Sequence, residues 1–497
     1  MSGIETSAAP SRGAEPDPTS LISSRASGNP TKLLCNDRFR TNPRPEMSFF
    51  AHGIHQPCRT PALETAAAMP QYSQSAMPRD LSSSPVAALP IVVIGPPDGA
   101  TGGMATVMAH HLGMNEDRAC ADAIRLLGFP MTQSPGADES RVQKITRHLG
   151  HLQRLRKTIR CNHARIVHIH TCSGASCFRS LADALVARLC GCRVILHIHG
   201  AYFDRFFEKL DPLRAAIVRR GLAAADRVIA LSQEWKGKLR RISPKAKVHV
   251  VENAVDVPRT CTDRSEAGRR ATGRLTQFLL MARMDEWKGI DDLLEACQSL
   301  RTTGSKFHVT LAGPPGTAGD ENSLPRKIES GGLQESVTYV GPVFGAEKMA
   351  LLRDADVYVQ PSHHEGMPMS ILEAMAEGLP VVATRVGAIP EIIKDRVHGW
   401  LTPPHHPGAL ASAMKSAITS DALRRSMGTA AYRLARTRFS LGRFHQSLLH
   451  LYRNLCATVP NVIDSAAPGR YSTEPSQANM SESKTADHAA PLNMKAR

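Results

Sequence analysis

The chain has 497 residues, 42% of them apolar and 21% charged, with a formal net charge of +16. That length and apolar content are enough for two or three packed domains and exclude a wholly disordered protein. The charge favours anionic partners (nucleotides, nucleic acid or anionic lipid) without choosing among them.

Residues 1–88 are rich in Ser, Ala and Pro and lack periodicity, which predicts a disordered N-terminal arm. Residues 456–497 read the same way. The first residues show no charged-then-apolar pattern, and no run of about 18 apolar residues occurs. The expected location is cytoplasmic, with peripheral attachment to the cytoplasmic face of the inner membrane as the variant. The cysteines Cys161, Cys172, Cys177, Cys190 and Cys192 crowd one region without a paired CxxC spacing. Reduced thiols are expected there rather than a zinc site.

Order begins at the apolar run Leu89-Pro90-Ile91-Val92-Val93-Ile94-Gly95. A turn containing Gly99, Gly102 and Gly103 follows and feeds a helix at 104–112. It has neither GK[ST] nor GxGxxG, so it is not a Walker loop or a dinucleotide fingerprint.

Residues 141–160 repeat Val142, Ile145, Leu149, Leu152, Leu155 and Ile159 at helical spacing. This stripe is expected to pack inward. The opposite face carries Arg141, Lys144, Arg147, Arg154, Arg156, Lys157 and Arg160. Such a face is solvated or, on the sharper reading, attracted to anionic lipid.

Strands are expected at 166–170, 194–199, 227–231 and 248–251, with a helix at 178–189. His199-Gly200 closes one strand at an edge suited to ligands. His168 and His170, one strand earlier, are expected to direct at most one ring toward that edge. Glu252 to Asp256 reads as an inter-domain loop with Asn253 on the nucleotide side.

A polar, basic linker at 262–274 precedes a second α/β pattern. Its strands are expected at 278–282, 308–312, 337–340, 357–360 and 381–384, and its helices at 290–301, 345–353, 370–377 and 408–418. The fold class is therefore α/β, with mainly parallel sheets. Two units, 89–261 and 275–438, should face each other across a cleft. An amphipathic segment at 439–455 should cross toward the first.

The chemistry concentrates in the second unit. Arg283 and Lys288 share a strand-to-helix loop, where a fork donor and a point cation suit a diphosphate. Glu365 lies before a helix and Glu373 inside it, eight residues on. A carboxylate at Glu373 suits a vicinal diol such as ribose, and Glu365 can reach sugar hydroxyls. The turn Gly366-Met367-Pro368-Met369 lets backbone amides approach the same ligand. Glu391, after Gly387-Ala388-Ile389-Pro390, reads as structural, capping a helix or holding Arg385. Nothing in these residues suits an acyl substrate.

Together, Arg283…Lys288, His363-His364-Glu365-Gly366-Met367-Pro368…Glu373, Asn253-Ala254-Val255-Asp256 and Gly387-Ala388-Ile389-Pro390-Glu391 resemble the family-4 retaining glycosyltransferases. These have two Rossmann-like domains facing across a cleft, the GT-B fold. The resemblance covers roughly residues 90–455. It implies that Arg283 and Lys288 hold the donor diphosphate and Glu373 the ribose. Glu365 would touch the transferred sugar, with Gly366, Met367 and Pro368 supplying backbone contacts. Gly102 and Gly103 would frame donor phosphate and acceptor, and His199 would sit near the reacting carbon. Glu365, His199, Arg283 and Lys288 form the expected catalytic set. Asn253-Ala254 departs from the commoner Asn-Gly of the family, and Met367 from an aromatic or small residue.

The resemblance further implies hexose transfer, with mannose first, from a GDP- or UDP-sugar to a saccharide acceptor, with retention. The acceptor expected is lipid-linked, in exopolysaccharide or lipopolysaccharide synthesis; a soluble acceptor is the alternative. No cofactor or metal is expected. Asp354-Ala355-Asp356 matches the DxD letters only, since it precedes a core strand. An epimerase or dehydrogenase would want a glycine fingerprint. A nucleic-acid-binding protein would want interleaved aromatics, and aromatics are 5%.

Overall fold

The computed structural model describes residues 88–97, 99–131, 139–260, 275–316 and 323–457. The expected arm, linker and most of the expected tail lie outside the described residues. Two six-stranded parallel sheets organise the rest.

The first sheet contains β1 (Leu89–Gly95), β2 (Ile124–Pro130), β3 (Ile166–Thr171), β4 (Arg193–Ile198), β5 (Arg227–Ala230) and β6 (Val248–Val250), in the order β2-β1-β3-β4-β5-β6. The second contains β7 (Thr276–Met281), β8 (Phe307–Ala312), β9 (Val337–Gly341), β10 (Val357–Gln360), β11 (Val381–Thr384) and β12 (Gly399–Thr402), in the order β12-β11-β10-β7-β8-β9. Strands β3, β10, β11 and β12 are buried along their whole length. Full burial is what two-sided helical cover of a parallel sheet requires. In each sheet the order reverses next to the first strand, and the carboxyl edge of such a crevice is where ligands enter.

Three apolar clusters hold the fold. One gathers Leu155, Ile159, Ala187, Val218 and Trp235 on one face of the first sheet. Another gathers Leu293, Leu300, Met414 and Trp400 on a face of the second. The third is shared: Ile91, Met108, Ala254, Met367, Met369, Ile371, Phe444 and Tyr452 belong to one continuous core. The two sheets are thus joined by packed side chains.

The final helix, Leu441–Ala457, docks on the first sheet's side. His445 Nδ1 lies 2.8 Å from Asp117 Oδ2, and its Nε2 lies 2.9 Å from the His110 carbonyl. The Val255 amide donates to the Phe439 carbonyl at 2.8 Å just before that helix starts.

The helix Arg141–Cys161 corrects the packing expected of it. A capping box of Ser140 and Gln143 starts it. Only His151, Leu155 and Ile159 are buried, whereas Val142, Ile145 and Leu149 face outward. The neighbouring helix, Ala175–Leu189, is 15 residues against 21, so the longer helix presents turns that its neighbour does not cover.

β2 and β12 have no counterpart among the expected strands. Both are edge strands of their sheets.

Candidate active site

Glu365 lies between β10 and the helix Met369–Ala376 and is 7% exposed. Its Oε1 accepts three bonds: from Lys288 Nζ at 2.6 Å, Ser362 Oγ at 2.8 Å and Gln360 Nε2 at 2.9 Å. Gln360 is held in turn by Ser370 Oγ at 3.3 Å and by the Tyr358 hydroxyl at 3.0 Å. The strand, the turn and the helix start therefore fix one carboxylate. Gln360, Ser362 and Tyr358 carried no expectation. They lie next to the acid, and Gln360 and Ser362 are inward polar residues at a strand end, which is the signal that could have found them.

Glu373 sits one turn into its helix and pairs with Lys348 Nζ at 2.6 Å. Lys348 comes from the helix Gly345–Asp354 and was not anticipated. Arg283 Nε donates to Asp285 Oδ2 at 2.5 Å, with Arg283 about half exposed and Asp285 buried. Lys288 also lies over the Trp287 ring at 4.2 Å. Tyr202 of the first half meets Trp287 and His364 at ring distances of 5.3 and 4.9 Å. Asp356 Oδ2 accepts from the Gln277 amide at 2.8 Å, so this member of the DxD letters pins the start of β7.

The first half meets this cluster closely. A β-carbon on Gly366 would lie 3.2 Å from the His199 carbonyl oxygen, so glycine sets that approach. A β-carbon on Gly387, at φ +52°, would overlap the Glu365 carbonyl at 2.0 Å. Gly102 caps the helix Gly103–Leu112, and a β-carbon on Gly103 would lie 3.6 Å from Met369 Cγ. Two helix starts, Gly103–Leu112 and Met369–Ala376, therefore face each other. Asn253 Nδ2 donates to the Met367 carbonyl at 3.0 Å, while Asn253 Oδ1 is buried without a partner among the described residues. Ala254 is not among the positive-φ residues, so alanine fits there without strain.

Glu391 does cap a helix, but one of the first half. Its carboxylate accepts from the Gln233 and Glu234 amides at 2.9 and 2.8 Å, at the start of Gln233–Ile242. Arg385 pairs instead with Asp395 at 2.8 Å.

The histidines need a larger correction. Residues two apart on a strand share a face, so His168 and His170 point the same way, as do His197 and His199. With His111 and Tyr452 they make an unbroken chain. His199 Nε2 lies 2.8 Å from His170 Nδ1, and His170 Nε2 lies 2.9 Å from His111 Nδ1. His111 Nε2 lies 2.6 Å from the Tyr452 hydroxyl, which lies 2.8 Å from His168 Nδ1. His168 Nε2 reaches His197 Nδ1 at 3.2 Å. Burial pulls His111 and His199 down to about 3. Burial, then the neighbouring imidazoles, holds His168, His170 and His197 well below the usual histidine value.

All five rings are therefore neutral at pH 7, each with one proton, and donation runs one way along the chain. His197 Nε2 is buried without a partner among the described residues. A lone pair is less costly there than an unpaired N–H. Donation then runs from His197 to His199, and His199 keeps its proton on Nδ1, the nitrogen outside the chain. That N–H is then left free of the chain to donate elsewhere.

Ligand atoms of His111, His168 and His170, of His170, His197 and His199, and of Asp292, His363 and His405 also fall within 4.8 Å of one another. These are the described groups with donors for a cation. In the chain, ring nitrogens 2.8–2.9 Å apart are at proton-sharing distance.

The profile described as Glycosyl transferases group 1 matches residues 265–434, and that described as Glycosyltransferase Family 4 matches residues 124–259. Two stretches of the chain are thus matched by glycosyltransferase family models, one of group 1 and one of family 4. WcaL of Salmonella typhimurium, named for colanic acid biosynthesis, is 33% identical over 216 residues, 42% of this chain and 50% of that protein. The amylovoran biosynthesis glycosyltransferase AmsK of Erwinia amylovora is 32% identical over 203 residues, 39% of this chain and 48% of AmsK. The D-inositol 3-phosphate glycosyltransferase of Salinispora arenicola is 32% identical over 248 residues, 46% of this chain and 55% of that protein. The chain thus spans about half the length of the curated relatives it matches.

Among solved structures, sucrose-phosphate synthase from Thermosynechococcus elongatus aligns with a TM-score of 0.62 at 20% identity, over 75% of this chain and all of that one. Anabaena HepE in complex with UDP-glucose aligns with a TM-score of 0.58 at 18% identity, over 74% and 100%. Both have the GT-B architecture of two Rossmann-like sheets seen here.

Proposed function

We propose that this glycosyltransferase moves a hexose from a nucleotide diphosphate sugar to a saccharide acceptor, with retention at the anomeric carbon. The observation that carries the reading is the Glu365–Lys288 pair at the carboxyl edge of β10, facing His199 and the start of the Gly103–Leu112 helix. Arg283, Lys288 and the amides of the Met369–Ala376 helix would favour the charge that grows on the leaving diphosphate. Glu373 would accept from the ribose diol. Met367 and Pro368 would offer backbone contacts to the donor, and Asn253 Oδ1 an acceptor for one of its N–H or O–H groups.

Glu365 fits the role of an orienting acceptor rather than a covalent nucleophile. Three donors already engage its Oε1, which lowers its nucleophilicity. Attack from the face of the departing phosphate, with that phosphate taking the acceptor's proton, needs no metal.

GDP-mannose is the first donor proposed, with UDP-hexoses next. The acceptor proposed is lipid-linked, as a step of exopolysaccharide or lipopolysaccharide synthesis; the relatives WcaL and AmsK, named for such polymers, support that choice. A donor panel with a membrane extract as acceptor tests it, read by product mass and radiolabel release. Full transfer by both Arg283→Ala and Glu365→Ala would overturn the site.

A further inference from the structure

Seven of the eleven large apolar side chains exposed among the described residues sit on three neighbouring helices of the first half. Helix Arg141–Cys161 exposes Val142 (70%), Ile145 (60%) and Leu149 (53%). Helix Ala175–Leu189 exposes Leu185 and Leu189, and helix Pro212–Ala224 exposes Leu213 and Ile217. The three lie side by side: His151 of the first bonds Asp183 of the second at 3.0 Å, and Gly221 of the third packs on Leu181 of the second. Their buried residues share one core on one face of the first sheet, so the exposed residues form the outer side of a single layer.

Charge on the three helices is strongly positive, although Glu139 and Asp211, just before two of them, pair with Arg147 and Arg214. Helix Arg141–Cys161 carries seven Lys or Arg and no Asp or Glu. Helix Pro212–Ala224 carries three Arg and no acid. The only acid in the helix between them, Asp183, is buried against His151. Scattered exposed leucines are ordinary, but apolar residues set among cations on one face are not.

We propose that this layer docks the protein on an anionic lipid bilayer. The apolar side chains enter the headgroup boundary while the arginines and lysines meet lipid phosphates. Among the described residues no helix is long and apolar enough to cross a membrane, so the helices lie on the surface. A soluble protein partner would be expected to bring acids in a fixed pattern; a bilayer needs only sign and apolar depth, and that is what the layer offers.

The placement suits the reaction proposed above, on which this part of the inference rests. In a parallel sheet the return helices start at the carboxyl edge of the strands. Val142, Ile145, Leu149, Leu213 and Ile217 all lie in the first halves of their helices. They are therefore on the cleft side, as is His199 at the end of β4. Docking would bring the cleft mouth toward the headgroups, where a lipid-linked acceptor presents its sugar.

Vesicle flotation of the full chain tests docking without any transfer assay, so its failure is separable from failure of the enzymatic reading. Binding to phosphatidylglycerol-containing vesicles, weak binding to pure phosphatidylcholine and loss at high salt are expected. The triple change Val142→Ser, Ile145→Ser, Leu149→Ser, and separately Arg154→Gln, Arg156→Gln, Lys157→Gln, should each cut partitioning about tenfold or more. Unchanged circular dichroism and melting would confirm that both variants fold. Wild-type protein that ignores anionic vesicles, or variants that float like wild type, would overturn the proposal. So would light scattering showing a wild-type dimer that the serine variant dissolves, since the layer would then be a self-association face.

Discussion

Lys288 Nζ lies 2.6 Å from Glu365 Oε1, and the two residues come from loops after neighbouring strands, 77 positions apart. Both are largely buried, at 13% and 7% side-chain exposure. Removing one partner of such a pair leaves the other charge uncompensated, at about 3–5 kcal/mol. Lys288→Ala should therefore lower both stability and transfer, with kcat falling about 10²–10³-fold. The double variant Lys288→Met, Glu365→Gln should recover much of the stability and none of the activity. Chemical denaturation beside initial rates checks this; recovery of activity with stability would show that the pair is only structural.

Glu373 is tied to Lys348, not to a residue of the glutamate turn. If it holds ribose, Glu373→Gln should raise the donor KM about tenfold with little change in kcat, the pattern of an interaction made equally in ground and transition states. Lys348→Met should raise it less, since it acts through Glu373. A kcat effect with unchanged KM would contradict the ribose role.

The histidine chain makes two predictions. Nitrogen NMR of histidine-labelled protein should find His199 neutral with its proton on Nδ1; a proton on Nε2 would reverse the direction of the chain. Stability should also depend on acid. The folded values lie below the unfolded value of 6.5, so the unfolded chain binds more protons as pH falls below 6.5. No cost exists above that point, and it grows until pH nears 3. Each unit of depression is about 1.36 kcal/mol. The urea midpoint should fall steadily from about pH 6.5 to about pH 5. A flat midpoint would mean that the rings accept protons in the folded state.

Glu391 holds the start of the Gln233–Ile242 helix across the two halves. Glu391→Ala should cost about 0.5–2 kcal/mol, as loss of a helix cap does. For an ordered part of this size that is roughly 1–2 °C of melting temperature per kcal/mol. Glu391→Gln should recover part of the loss, because one acceptor oxygen remains. An unchanged melting temperature in the alanine variant would show that solvent replaces the cap at no cost.

Much of the architecture was readable because buried parallel strands are plain apolar runs, and the glutamates announced themselves at a strand-to-helix turn. What escaped notice has physical reasons. β2 contains Arg125, Gly128 and Pro130, and β12 opens with Gly399. Edge strands tolerate such residues, so they lack the usual signal. Lys348 lies in an unremarkable helix, and only the folded topology brings it to Glu373. The histidines were visible, but the expectation of at most one edge-directed ring from His168 and His170 overlooks that a two-residue spacing on a strand means a shared face. Their link through Tyr452, 284 positions from His168, has no local trace at all. The outward turns of Arg141–Cys161 have the same helical period as a packed stripe, so spacing alone could not tell which way they face.

Tyr452 also bears on biosynthesis. Its hydroxyl joins an imidazole of the helix Gly103–Leu112 to one of β3, yet it is translated hundreds of codons after them. Until the last helix docks, the nitrogens of His111 and His168 lack the hydroxyl that joins them and must find other partners, such as water. The hydrogen-bond chain inside the amino-terminal half is therefore completed only once the last helix is in place. Nonsense or frameshift lesions near the 3′ end should damage its interior as much as they damage the missing helix.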